Sequence, residues 1–131
     1  MIRIRGHAAI FDRVDRMGDV MRRGVFADAR AVPLLRQHRG PPVGDIHRIA
    51  EDARGLWIEA EVRDPAVARL VRGGALRGLS VGYRATATRQ GAWREILAAE
   101  LAEVSLVAQP AQPDARVAQV EQVMAGLNRN H

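Results

Sequence analysis

Hydrophobic and polar residues alternate cleanly from Leu56 to Val62, with Leu56, Ile58, Ala60 and Val62 on one side and Trp57, Glu59 and Glu61 on the other. A period of two is the pattern of a half-buried strand. Ile2 to Phe11 alternates in part and predicts a first strand, with Gly6 as the place for a bulge. Further strands are predicted over Leu34–His38, ended by the breaker Arg39-Gly40-Pro41-Pro42, and over Val43–Glu51, which meets Leu56 through the turn Asp52–Gly55. Leu79–Arg89 and Glu103–Val107 read as strands on either side of the turn Gln90–Ala92. The alanine-rich residues 98–102 would equally suit a helix.

A period near 3.6 replaces the period of two in three places. Val25–Val32 predicts a short helix stopped by Pro33. Asp64 and Pro65 supply a cap and a first helical residue for a helix carrying Val67, Leu70 and Val71, which Gly73-Gly74 ends. Val117, Val120, Val123, Met124 and Leu127 predict a C-terminal helix over Asp114–Leu127, set off by Pro110 and Pro113. Residues 12–24 are polar and glycine-punctuated, hence a loop. The sum is one domain over residues 1–131, mostly antiparallel β with short helices, of α+β type.

Composition narrows the chemistry. The chain has 131 residues and no cysteine, which excludes disulfides, thiolate metal sites and cysteine catalysis. All 20 basic residues are arginine, so lysine dyads and Schiff bases are excluded as well. No apolar run approaches the roughly 18–20 residues of a membrane helix, and residues 1–5 do not resemble a signal peptide; the expectation is an intracellular protein without a membrane partner. The net charge is +5, which suits an acidic protein partner or nucleic acid. The arginines are interleaved with acids and aromatic residues are few, so a dedicated single-strand binding platform is not evident.

The nucleophiles that remain are few: Ser80 and Ser105, with Thr86 and Thr88. Ser80 lies between Gly78 and Gly82, where backbone approaches closely. The pattern Gly78-Leu79-Ser80-Val81-Gly82 matches the G-x-S-x-G of the nucleophile elbow, but an elbow needs a helix directly after the serine, and Val81–Thr88 reads as strand. Ser105 stands between bulky Val104 and Leu106 and reads as a buried hydroxyl bonded to backbone. A serine needs a base, usually histidine, oriented by a third group. His38, at a strand end before a proline-rich loop, is the best base candidate, although position alone favours a solvated loop histidine. His47 and His7 read as exposed or structural, and no H-E-x-x-H or equivalent spacing points to a metal. Glu103 shares a strand face with Ser105 and needs a cationic partner, an imidazole or an arginine.

Four segments carry a resemblance to a known family. They are Arg16-Met17-Gly18-Asp19-Val20 with Arg23-Gly24-Val25-Phe26, Leu34-Leu35-Arg36-Gln37-His38 with Pro42-Val43-Gly44, Gly74 through Tyr83, and Leu101 through Val107 with Pro110-Ala111. In this order the chain resembles the prohead maturation proteases of tailed phages and gene transfer agents, distant relatives of the herpesvirus protease assemblin. The resemblance implies a compact antiparallel β-barrel with peripheral helices, about residues 1–113 with the 114–127 helix appended. It implies His38 as base, Ser80 as nucleophile and Glu103 as the third member, with Asp19 and Asp45 as fallback carboxylates. Backbone oxyanion donors would lie at Ala111 or Gln112, since Pro110 has no N–H. The implied activity is a serine endopeptidase without cofactor or metal. It would cleave scaffold or the scaffold-like segment of the major coat protein precursor, in the bacterial cytoplasm inside the assembling procapsid. Such enzymes often pair through a helix, so a homodimer through residues 114–127 is expected as an alternative to packing of that helix on its own barrel. Many relatives are longer at the C-terminus, and the expectation is a trimmed or minimal variant. The competing readings are a non-catalytic assembly protein on the same fold and a small basic nucleic-acid-binding β-domain.

Overall fold

The computed structural model describes residues 1–123. Eight strands and one helix follow in the order β1 (Ile2–Ile10), β2 (Asp19–Met21), β3 (Leu34–Arg36), β4 (Arg39–Glu51), β5 (Gly55–Val62), α1 (Pro65–Arg72), β6 (Gly78–Gln90), β7 (Arg94–Val107) and β8 (Val117–Gln122). The fold is mostly β, as the alternation predicts, with one short helix among the described residues where three are expected. Among the described residues no helix is long and apolar enough to cross a membrane.

The strands form one sheet in the order β2-β7-β3-β4-β5-β1-β8, with β6 on the other edge of β7. β7 organises the functional end. It pairs antiparallel with β6 from Gly78↔Val107 to Gln90↔Arg94. Its opposite edge takes β2 in parallel at one end, through Asp19↔Arg94, and β3 in parallel at the other, through Leu34↔Val104 and Arg36↔Leu106. The core gathers the inward positions of these strands, among them Ile2, Ile4, Leu34, Leu56, Ile58, Leu79 and Leu106, together with Val67 and Val71 of α1. α1 begins as its sequence predicts: the Asp64 carboxylate accepts from the N–H groups of Ala66 and Val67, and Pro65 follows.

Several expectations are corrected. The sheet is not closed into a barrel among the described residues. β8 meets β6 only at the isolated bridge Gly78↔Arg116, because the Pro110–Pro113 loop delivers the chain to the far edge of β1 instead. The predicted helix over residues 114–127 is not formed over 114–123. Residues 117–122 pair with β1 from Ile2↔Gln122 to Gly6↔Val117, and residues 124–127 lie outside the described residues. The valine spacing fits either element, and the β1 edge decides: a β-branched segment beside unpaired backbone gains a full ladder by extending. The described part of the segment expected to form a dimer helix, residues 117–122, is thus a strand on β1. Gly6 admits this strand closely, since a Cβ there would collide with the Arg116 carbonyl.

Val25–Val32 forms consecutive turns, not a helix, with bonds from Val25 N to Arg22 O, Ala27 N to Gly24 O and Ala29 N to Phe26 O. The Glu51 carboxylate takes the N–H groups of Gly24 and Phe26, and Ala99 N–H takes the Val25 carbonyl, so neighbours satisfy this backbone in place of a helix. The loop over residues 12–24 contains the short strand β2. Arg39–Pro42 does not break the chain but opens β4, where the exposed prolines lie beside an irregularity in the β3–β4 pairing. Residues 98–102 are strand throughout.

Candidate active site

The β6–β7 register assembles the site. Ser80 pairs with Ser105 and Gly82 pairs with Glu103. Residues directly opposite in a ladder point to the same face, as do residues two apart. Ser80, Ser105 and Glu103 therefore share one face. Both flanking glycines sit in close approaches. A Cβ at Gly82 would fall on the Glu103 carboxylate, and one at Gly78 would fall against the Pro110 ring and the Val107 carbonyl. The G-x-S-x-G pattern thus serves two close approaches to a strand rather than a turn into a helix.

His38 reaches this face from the β3–β4 turn. That turn has two central residues, Gln37 and His38, with φ of 52° and 63°. Positive φ at both positions is the type I′ hairpin geometry, which asparagine and glycine adopt most readily. Here glutamine and histidine are held in it by three bonds to β7 and the residue after it. Gln37 N–H donates to the Leu106 carbonyl at 2.9 Å, His38 N–H donates to Ser105 Oγ at 3.1 Å, and Ala108 N–H donates to Gln37 Oε1 at 2.8 Å.

The His38 ring then meets Glu103. Nδ1 lies 2.5 Å from Glu103 Oε1. An ionised carboxylate only accepts, so Nδ1 carries the proton, and Nε2 of the neutral ring is left as the basic nitrogen. The second carboxylate oxygen, Oε2, accepts from Ser105 Oγ at 2.6 Å. The glutamate side chain is 14% exposed and the imidazole 43%, so the acid is sheltered while the ring faces an open groove. That groove, of about 400 Å³, is lined by Gln37, His38, Val107, Ala108 and Gln109.

Ser80 is itself buried. Its hydroxyl takes part in no hydrogen bond among the described residues, yet every buried side-chain polar atom among them has a partner. The Ser80 oxygen is therefore not fully buried. It is not hydrogen-bonded to His38, a separation common in unliganded sites that tighten on substrate.

The fallback carboxylates are engaged elsewhere. Asp45 pairs with Arg63 at 2.7 Å. Asp19 is buried and accepts two bonds from Arg94, at 2.8 and 2.9 Å, and one from Tyr83 at 3.2 Å. The Arg94 guanidinium holds the Asp19 carboxyl below its usual range against the opposing effect of burial. Burial pushes the Tyr83 phenol up to about 12, helped by the Asp19 charge. His7 bonds Asp52 and His47 bonds Glu61, both away from Ser80.

Ala111 and Gln112 lie in the loop whose Pro110 ring packs against Gly78. The Gln112 side chain is buried and makes a reciprocal pair with Ile10, accepting from its N–H at 2.7 Å and donating to its carbonyl at 2.6 Å. The Ala111 carbonyl accepts from Arg16 N–H. The backbone N–H groups of Ala111 and Gln112 donate to no acceptor among the described residues. No group of three or more potential metal ligands occurs among the described residues. Arg22, Arg63, Arg89 and Arg94 are each engaged in ion pairs with acids.

The sequence alone does not show the link from Ser105 to His38 or the close approach of Glu103 to residue 82. The period-two relation of residues 103 and 105 was the available signal; the β6–β7 register that completes it is not written in either strand alone.

The family model described as caudovirus prohead serine protease matches residues 1–129. The prohead protease of Escherichia phage T5 is 30% identical over 132 residues, an alignment spanning 87% of this chain and 60% of that protein. The chain thus spans less than two thirds of that curated relative. Among solved structures, the KSHV protease in complex with a hexapeptide phosphonate inhibitor superposes with a TM-score of 0.64 at 13% identity, covering 93% of this chain and 65% of that one. The varicella-zoster virus protease gives 0.63 at 14% identity, covering 93% and 64%. At such identities these two structures establish a shared fold.

Proposed function

Because the chain belongs to the caudovirus prohead serine protease family, we propose that it is a serine endopeptidase of capsid maturation, acting through Ser80, His38 and Glu103. The observation that carries this is the His38–Glu103 hydrogen bond, held on the strand face that also presents Ser80. In this reading His38 Nε2 takes the Ser80 proton as Oγ attacks the peptide carbonyl. Glu103 keeps Nδ1–H oriented and stabilises the imidazolium that forms. His38 next hands the proton to the departing amine, leaving an acyl-enzyme. Water, deprotonated by the same nitrogen, releases the acyl group and regenerates Ser80. The backbone N–H groups of Ala111 and Gln112 are the proposed oxyanion donors, a role typically worth about 10²–10³ in rate per donor.

The proposed substrate is the scaffold, or the scaffold-like segment of the major coat protein precursor, cut inside the assembling procapsid in the bacterial host. The groove beside His38 supports access of an extended chain to the base. The test is co-expression with the coat-protein precursor from the same genome, read as the intact mass of the coat protein, with Ser80→Ala and His38→Ala in parallel. A coat protein shortened only by the unaltered enzyme is expected. Equal shortening by a folded Ser80→Ala variant would overturn the assignment of the nucleophile. An intact precursor in properly formed particles would favour an assembly protein that does no chemistry.

A further inference from the structure

We infer that Ser105 is the positioning residue of this site: a single hydroxyl fixes both the place of the His38 backbone and the rotation of the Glu103 carboxylate. The inference rests on the protease reading above.

Ser105 is fully buried, at 0% exposure, between Val104 and Leu106. Its backbone lies in ladders on both sides, opposite Ser80 on β6 and Leu35 on β3, so the hydroxyl is not needed to hold the strand. An apolar side chain would suit the surrounding core, since a buried hydroxyl is unfavourable unless bonded. Both bonds that the hydroxyl makes go to the proposed base and its orienting acid. It accepts His38 N–H at 3.1 Å and donates to Glu103 Oε2 at 2.6 Å.

Each bond has a distinct consequence. Among the described residues, Ser105 is the one hydrogen-bond partner of Oε2. With that bond in place the carboxylate cannot rotate, and Oε1 stays aimed at Nδ1. The bond to His38 N–H anchors a residue whose φ is 63°, in a turn that its sequence does not favour. Without this acceptor the backbone of the turn is tied to β7 and the residue after it through Gln37 alone, and the His38 N–H has no acceptor among the described residues. Opposite Ser80 in register, Ser105 therefore ties the base and its acid to the strand that faces the nucleophile.

The test uses a fluorophosphonate probe, which needs no knowledge of the natural substrate. Ser80 Oγ forms a bond to phosphorus, the P–F bond breaks, and His38 takes the hydroxyl proton as fluoride leaves. The second-order labelling rate is compared for the wild type, Ser105→Ala, Ser105→Thr, Glu103→Gln and the double variant Ser105→Ala/Glu103→Gln, with thermal unfolding to show that each is folded. Ser105→Ala is expected to label about 10–100-fold more slowly, the loss that accompanies a misplaced catalytic group. Ser105→Thr, which retains the hydroxyl, is expected to recover most of the rate. In the Glu103→Gln background, removing the hydroxyl is expected to add little, because residues acting through one another are not additive. Wild-type labelling by folded Ser105→Ala overturns the inference, and so does an equal fold-loss in both backgrounds. Should Ser105→Ala not fold, Ser105→Cys takes its place in the same comparison. A wild type that labels no faster than Ser80→Ala would instead overturn the protease reading, and this inference with it.

Discussion

Gly82 lies directly opposite Glu103, and the glutamate carboxylate occupies the volume that any side chain at 82 would need. Gly82→Ala should therefore displace Glu103 from His38 while leaving the ladder intact. We expect turnover, or labelling of Ser80, to fall by about 10–100-fold, the range for a catalytic group moved by about an ångström. Crystallography of the variant should show the Glu103 side chain rotated away from Nδ1. An unchanged rate would mean that Glu103 is not the orienting acid.

Away from the proposed site, Glu95 on β7 joins Arg89 across the β6–β7 hairpin and Arg22 just after β2. It accepts from Arg89 at 2.8 and 2.9 Å and from Arg22 at 2.7 Å, and these bonds, that from Arg89 foremost, hold its carboxyl at about 2. Its folded value is below the unfolded one of about 4.3. The stabilisation is therefore present in full above the unfolded value and is lost as pH falls toward the folded one. Melting temperatures of the wild type and Glu95→Gln should differ at neutral pH and converge between about pH 4 and pH 2. A gap that stays constant through that window would refute the role of the charge.

Tyr83 is the one tyrosine of the sequence, which makes its ionisation separately visible. Tyrosinate absorbance should show a midpoint near 12 in the folded protein, against about 10 in denaturant. A phenol raised by folding stabilises the protein fully below the unfolded value, and that contribution is lost as pH climbs through the folded one. Asp19→Asn removes a charge and should lower the folded midpoint, while burial should keep it above that of the denatured chain.

Asp64 offers a contrast away from the site. Its carboxylate caps α1 through Ala66 N–H and Val67 N–H. Asp64→Ala should destabilise the protein by about 0.5–2 kcal/mol, measured by urea unfolding. The rate of Ser80 labelling in the folded protein should not change, since α1 contributes no side chain to the His38–Glu103 network.

Much of the sheet was legible because local signals and tertiary need agreed. The alternation at Leu56–Val62 names the buried face of β5, and Asp64-Pro65 names the start of α1. Elimination of other nucleophiles singles out Ser80 in the sequence, and family likeness groups His38 and Glu103 with it; their joint role is the proposal made above. What stayed hidden depends on partners distant in sequence. Val117–Gln122 carries a spacing that suits a helix, but the open edge of β1 makes it a strand. Val25–Val32 is drawn out of a helix by Glu51 and Ala99. Pro41 and Pro42 suggest a break, yet they lie within β4 where the chain is exposed. Ser105 reads locally as a buried hydroxyl, and only the fold of the β3–β4 turn shows which backbone group it meets.

β2 and β3 both pair in parallel with β7, which lies far along the chain: Asp19 and Arg94 are 75 positions apart, His38 and Glu103 are 65. The imidazole of His38 thus precedes by 65 positions the glutamate it meets. Contacts of such span are the slow ones to form. The proposed chemistry therefore waits on pairing between distant parts of the chain, a delay set by the order of the strands.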